Sequence, residues 1–345
     1  MRASITQTGI SCALASALCA GSVAYAQTSP VTLRIANYVP ASHYLVEVGL
    51  NPWMEQVTAE TKGMIKFQHF PAQQLGKAQD MLRLAQTNVA QGAFTGVSFA
   101  GDKMELSDVA QLPNIFEKAC DGTTAYMKLF KSGSAANADF EKNGVRLVYP
   151  MVLPPFQAFT HTQALNTLAD FKGLKMLSPT RAGEILLAKL GAAPIRLVSG
   201  PQAYEAFQRK TSDGMTFALD SVFAYDMQAM TKFGTENLNF GGQVVVFVMN
   251  NQTWNSLGKA NQEIIERISD KASFRMCAYL DGSYKQSIER LHASGVKLTK
   301  FGAPALTDFR KVTDSVSEEW AKDLDKRGRP GTATVKAFRA ALPKS

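Results

Sequence analysis

Hydrophobic and polar positions follow two rhythms along this chain, and the rhythms take turns. Val31 to Val39 (VTLRIANYV) alternates with period two as a strand does, and Ser42 to Gly63 then carries apolar residues at helical spacing, with Pro52 as a bend. MIKFQHF reads as a second strand, QQLGKAQDMLRLAQTN as a second helix, and AFTGVSF as a third strand. Such alternation predicts an open, largely parallel sheet that helices cover on both faces. From Val145 the pattern restarts. VRLVYPMV is a strand, and an irregular LPPFQAFTHTQAL leads into GLKMLSPTRAGEILLAKLGA, where Leu174, Met176 and Leu177 suit a buried strand. Ser178-Pro179 is read there as N-cap and first helical residue, and Gly191 as the helix stop. APIRLV, GPQAYEAFQRKTSDG and MTFALDSV continue as strand, helix and strand.

The fold class expected is therefore α/β, in two similar lobes with a cleft between them. Val244 to Met249 (VVVFVM) is apolar throughout and suits a buried central strand. From Lys259 to about Ala293 there is no proline, and Gly282 alone interrupts the run, so a long helix bridging the lobes is expected. The domain reading places residues 31–152 plus about 244–276 in lobe one. It places 153–243 plus about 295–345 in lobe two, with the helix at about 259–293 between them.

Composition changes this picture at the N-terminus. The chain has 345 residues, 46% hydrophobic and 19% charged, enough for two lobes with separate cores. In residues 1–26 Arg2 is the sole charge, the run is apolar and small, and Ala24-Tyr25-Ala26 matches a cleavage site, which predicts a secretory signal and a periplasmic location. Neither Cys12 nor Cys19 has the neighbours a lipoprotein requires. Without the signal, Cys120 and Cys277 remain; an oxidising compartment would let them pair, while a chain this long needs no staple, which favours two buried thiols. The mature chain keeps 36 of its 37 basic residues against 29 acidic ones. That surplus is scattered, without basic runs or interleaved aromatics, so nucleic-acid binding is not expected.

The familiar chemical signatures are missing. His43, His69, His161 and His292 stand far apart without metal-ligand spacing, and no nucleophile elbow, Walker loop or Gly-x-Gly-x-x-Gly follows a strand. No cofactor, metal ion or catalytic residue is expected. A secreted two-lobed α/β protein without catalytic groups is suited to capturing a small solute by hinge closure.

Three stretches carry a family resemblance: HFPAQQLGKAQDMLRLAQTNVAQGAF, LADFKGLKMLSPTRAGEILLAKLGAAPIRLVSGPQAYEAFQRKTSDGM, and VVVFVMNNQTWNSLGKANQEII. Together they resemble the solute-binding proteins of TRAP (tripartite ATP-independent periplasmic) transporters, the DctP-like group, across nearly the whole mature chain. The resemblance implies a two-lobed periplasmic-binding-protein fold, a small-molecule ligand, and delivery to TRAP membrane permease subunits for uptake driven by an ion gradient. A periplasmic sensing subunit for a receptor kinase is the alternative, and a secreted enzyme a third.

The resemblance also implies ligand-binding positions, several of which depart from the pattern. An arginine that clamps a carboxylate in many members is replaced by Leu177; a second arginine position holds Gln157; and a glutamate after Asp213-Gly214 is replaced by Thr216, followed by Phe217. The loss of that glutamate argues against a bound metal. Asn250 matches the family's polar cleft residue. The anchor is then either Arg181, at a helix start whose dipole favours anions, or absent, with an apolar or aromatic guest held among Phe156, Phe159, Phe217, Tyr225 and Phe247. Tyr38, His43 and Tyr44 follow the first strand and are expected to border the ligand, with His43 as a hydrogen-bond donor.

Overall fold

The computed structural model describes Met1 and residues 29–131, 136–197 and 199–344, so the expected signal, but for Met1, lies outside the described residues. β1 (Val31–Ala36) leads to a π-helical turn (Leu45–Leu50) that passes directly into α1 (Asn51–Glu60), followed by β2 (Ile65–Phe70), α2 (Met81–Gln86) and β3 (Gly92–Gly96). Three 3-10 turns, α3 (Ala119–Phe130), the short α4 (Ala136–Asp139) and a fourth 3-10 turn (Glu141–Asn143) precede β4 (Val145–Val152). The second run comprises β5 (Gln157–Thr160), β6 (Lys175–Ser178), α5 (Arg181–Lys189), β7 (Ala193–Arg196), α6 (Gly200–Gln208), β8 (Gly214–Phe217), α7 (Leu219–Ala224) and β9 (Phe233–Thr235). The chain returns as β10 (Val244–Asn250), α8 (Asn251–Ser256) and α9 (Lys259–Ala293), and ends in β11 (Lys297–Thr299), α10 (Ala303–Lys326) and α11 (Gly331–Ala341).

Two sheets result, with strand orders β2-β1-β3-β10-β4 and β11-β9-β5-β8-β6-β7. Each carries one reversed strand: β10 is antiparallel to β3 and β4, and β5 is antiparallel to β8 and β9. Both strands arrive by a short crossing from the other sheet, whereas parallel neighbours need a long crossover. β10 is buried along its whole length, as its apolar run requires.

The crossings are fastened side by side. Leu153 N donates to Gln243 O at 2.9 Å, Phe156 N to Gly241 O at 2.6 Å, and Phe240 N to Phe156 O at 3.3 Å. Gly241 has φ of +79°, and a Cβ there would run into the carbonyl of Gln111, so glycine is required twice over. α9 ties the sheets together from outside. Trp53 Nε1 donates to Ser269 Oγ at 2.9 Å and Ser273 Oγ to Pro150 O at 3.0 Å, while Asp281 accepts from Ala119 N and Cys120 N at 2.7 and 3.0 Å, all on the first-sheet side. Further along, Ser283 and Ser287 donate to the Asp220 carboxylate on α7 at 3.0 and 2.5 Å, on the second-sheet side.

Several local expectations need correction. Pro52 does not bend a continuous α-helix: it falls where the π-turn becomes α1, at the first or second position, where its missing N–H matters least. Val48 O, the carbonyl that the proline cannot serve, accepts instead from Arg275 Nε at 2.9 Å. The N-cap of α5 is Thr180, whose side chain accepts from Gly183 N, while Ser178 ends β6; Gly191 does stop the helix at φ +81°. MTFALDSV is strand only to Phe217, because Leu219 onward forms α7. Cys120 and Cys277 are joined in a disulfide between α3 and α9, so the two-thiol reading is wrong. Finally, α10 packs on α5, but α11 packs on α3, with Phe338 beside Phe116, so the last segment is not confined to the second sheet.

Candidate functional site

A small cavity of about 30 Å³ lies where the sheets face each other, enclosed by residues from both and from the crossings. Tyr38, Val39, His43, Leu45 and Phe99 come from the first-sheet side, and Leu153, Phe156 and Gln243 from the crossings. Pro179, Ser199, Gly200, Phe217, Ser221 and Tyr225 come from the second. The walls are chiefly aromatic. Tyr38 meets Phe99 edge-on at 5.5 Å between ring centres, and Phe217 lies 6.3 Å from Phe156 and 6.1 Å from Tyr225. Among the described lining residues there is no lysine, arginine, aspartate or glutamate.

Contacts cross the cleft directly. The hydroxyls of Tyr44 and Ser221 are 3.0 Å apart, and the rings of His43 and Tyr225 are 5.2 Å between centres. His43 also packs on Tyr44 at 4.3 Å. Gly200, the first residue of α6, lies against the Tyr225 ring so closely that a Cβ would be 2.5 Å or less from Cζ, Cε1 and Cε2. Sequence and function meet at this glycine: any side chain would displace a wall of the cavity.

His43 is 98% buried, as its 2% exposure shows, and its Nδ1 accepts a hydrogen bond from Leu45 N at 3.2 Å. An acceptor Nδ1 carries no proton, so the neutral ring bears its hydrogen on Nε2. Burial holds the group neutral by pushing its pKa down to about 3. Nε2–H has no partner among the described residues, and neither do the Tyr38 and Tyr225 hydroxyls, whose pKa values burial also raises. These three groups open onto the cavity, where a polar guest or water can meet them.

The expected site residues divide sharply. Tyr38, His43, Phe156, Phe217 and Tyr225 line the cavity, and Tyr44 braces it. Leu177 belongs to the apolar cluster with Met215, Phe159 and Phe217 on the same side of the second sheet, but is not in the lining. Phe247 is core, between Trp53 and Phe94 at 4.9 and 5.3 Å.

The polar expectations fare worse. Arg181 is exposed and faces a groove with Glu318, Glu319 and Asp323 of α10, on the outside of the second sheet. Gln157 is fully engaged at the crossing: Nε2 donates to Leu238 O at 2.6 Å, while Oε1 accepts from Thr235 Oγ1 at 2.8 Å. Asn250 caps α8, accepting from Gln252 N and Thr253 N and donating to Ala85 O at 2.9 Å. Thr216 is buried with its hydroxyl 3.4 Å from Ser178 Oγ. Ser199, Gly200, Ser221 and Gln243 were missed; the only signal for them was position, at helix starts and at the head of β10, where α/β ligands gather. Among the described residues no group of three or more His, Cys, Asp or Glu could hold a metal ion.

Comparison with known proteins bears on the family and the fold. A family model, DctP, bacterial extracellular solute-binding protein family 7, matches residues 35–323. A TRAP solute-binding protein from Rhodoferax ferrireducens with copurified benzoate is similar in structure, with TM-score 0.83, 22% identity, and coverage of 90% of this chain and 97% of that one. A marine metagenome TRAP protein specific for aromatic acids, holding 3-hydroxybenzoate, has TM-score 0.84 at 21% identity, with 91% and 98% covered. In sequence, a monocarboxylate 2-oxoacid-binding periplasmic protein of Nostoc sp. is 25% identical over 45% of this chain and 43% of its own. A sialic acid-binding periplasmic protein of Vibrio cholerae is 22% identical over 52% and 54% respectively. The match thus spans about half the length of these curated relatives.

Proposed function

The chain belongs to the bacterial extracellular solute-binding proteins of family 7, and from that premise we propose that it captures a small, largely apolar or aromatic organic solute in the periplasm and hands it to a TRAP-type permease. The observation that carries the choice of guest is the cavity's lining: aromatic rings from both lobes surround unpaired neutral donors, and among the described residues no guanidinium lines it. Phenyl-sized guests suit such walls, because offset and edge-on ring contacts add to the burial of apolar surface.

A cavity of about 30 Å³ is room for water rather than for an aromatic ring, so the lobes are shut in this conformation and must part to admit the guest. The crossings, α9 and the paired α10 and α11 join the two lobes, and the hinge lies among them. Ligand favours closure only through its greater affinity for the closed form. The bound ligands of the structural neighbours, benzoate and 3-hydroxybenzoate, support the size and shape of guest. A thermal-shift screen of the mature protein against aromatic acids, aromatic amides, lactams and aliphatic acids tests this, followed by small-angle scattering of any pair that binds. Stabilisation by the aromatic compounds with compaction is the expected result. A preference for aliphatic dicarboxylates would overturn the choice of guest.

A further inference from the structure

We propose that this cavity receives its guest uncharged: a carboxamide, lactam or other neutral carbonyl compound directly, and a carboxylic acid only together with its proton. The inference rests on the solute-capture reading and narrows it to a chemical class.

The argument begins with what could balance a carboxylate. No cationic side chain lines the cavity among the described residues, and Arg181 borders a separate groove beside α10. His43 is the one lining group able to become a cation. Its Nδ1 is committed as acceptor to the Leu45 backbone N–H, so a second ring proton would have to break that bond and set two N–H groups against each other. Burial opposes the same protonation.

The surroundings do not reverse this. The groups facing His43 are the phenols of Tyr38 and Tyr44 from its own segment and Tyr225 from the end of α7. Farther out are Glu47 on the π-turn, Tyr279 and Arg275 on α9, and Asp220 on α7. Arg275 is turned to the carbonyls of Val48 and Gly49, and Asp220 is held by Ser283 and Ser287. Neither side chain lines the cavity, so among the described residues no fixed positive charge is set against an anion there. α6 begins at Gly200 on the cavity wall, and Ser199 at its N-cap makes no side-chain capping bond, so the positive end of that helix favours a carbonyl oxygen. A partial charge of that kind does not offset the cost of burying a full anion.

The arrangement suits a neutral acceptor. Nε2–H of His43 donates to a carbonyl oxygen, and the hydroxyls of Tyr38 and Tyr225 remain for an amide N–H or an acid O–H. When a carboxylate arrives from solution, one proton is drawn from water onto the guest, and His43 stays neutral throughout.

Titration calorimetry with benzoate and its neutral isostere benzamide, from pH 5.5 to 8.0 in phosphate and in Tris, tests the proposal. Benzamide is expected to bind with an affinity independent of pH. Benzoate is expected to weaken about tenfold for each unit rise in pH, with one proton taken up per guest, because only its protonated fraction is accepted. His43→Phe should weaken benzamide by at least about tenfold. His43→Gln, which keeps an N–H donor, should restore most of that loss and leave the benzoate slope unchanged. Benzoate binding that is flat with pH and releases or takes up no proton would overturn the uncharged guest while leaving solute capture intact. A benzoate slope that vanishes in His43→Gln would place the proton on His43 and equally overturn it. Failure of both probes at millimolar concentration would overturn this proposal together with the aromatic reading beneath it.

Discussion

Replacing Gly200 by alanine adds one methyl group at the point where α6 meets the cavity. The new Cβ would lie 2.5 Å or less from three atoms of the Tyr225 ring, against an ordinary carbon–carbon contact of about 3.5 Å, so the ring must withdraw by at least about 1 Å. Its neighbours leave it little choice of direction. His43 stands 5.2 Å from it and Phe217 6.1 Å, centre to centre, and the cavity is the space between them. Overpacking of this kind costs about 1–3 kcal/mol. Because the displaced ring occupies the guest's own space, most of that cost should fall on binding, a loss of roughly five- to 150-fold in affinity. Alanine otherwise suits a helix better than glycine by about 1 kcal/mol, so the free protein should lose little stability. Calorimetry with the tightest aromatic guest, beside thermal unfolding of the free protein, separates the two effects. Undiminished affinity in Gly200→Ala would refute the assignment of Tyr225 as a wall of the site.

Other consequences can be checked independently. Arg181→Ala should change affinity for any guest by less than about twofold, since the side chain faces the α10 groove; a tenfold loss by calorimetry would restore it as an anchor. Replacing Cys120 and Cys277 by serine opens a link spanning 157 residues, which the chain-entropy account values at up to about 5 kcal/mol, so the urea midpoint should fall markedly, and an unchanged midpoint would contradict it. Between pH 6.5 and about 3 the unfolded chain protonates His43 while the folded chain does not, so this residue makes stability fall with falling pH, by at most about 1.4 kcal/mol per unit. Urea unfolding of His43→Gln from pH 4 to 7 should show a shallower decline than the parent, and identical slopes would count against the buried neutral ring.

How much of this was legible beforehand varied with the kind of information needed. The two α/β runs, the buried β10 and the long α9 followed from periodicity, because burial is written into spacing. The reversal of β5 and β10 was not legible, since strand direction depends on which sheet the chain enters, and that is set by tertiary packing. Tyr38 and His43 emerged because the loop after β1 is expected to border the ligand in this architecture, whereas Phe156, Phe217 and Tyr225 entered only as aromatics able to hold an apolar guest. Gln157, Asn250 and Arg181 misled for one shared reason: a polar side chain advertises the capacity to bond, not the partner. Two of the three spend that capacity on backbone groups at a crossing or a helix end, and the third borders a separate groove beside α10. Gly200 and Ser199 carry no chemical signature at all, and only their place on the wall gives them meaning.

Along α9 the anchorage changes sides within three residues: Asp281 grips the start of α3, and Ser283 grips Asp220 on α7. Gly282 stands between them, and a Cβ there would have nothing within 4 Å. A continuous rod clamped to two bodies behaves as a leaf spring, and flexure collects at its weakest section, which in a helix is glycine. Gaping of the jaws would therefore load this joint, while the α10–α11 pair, seated on α5 and on α3, would have to give alongside it.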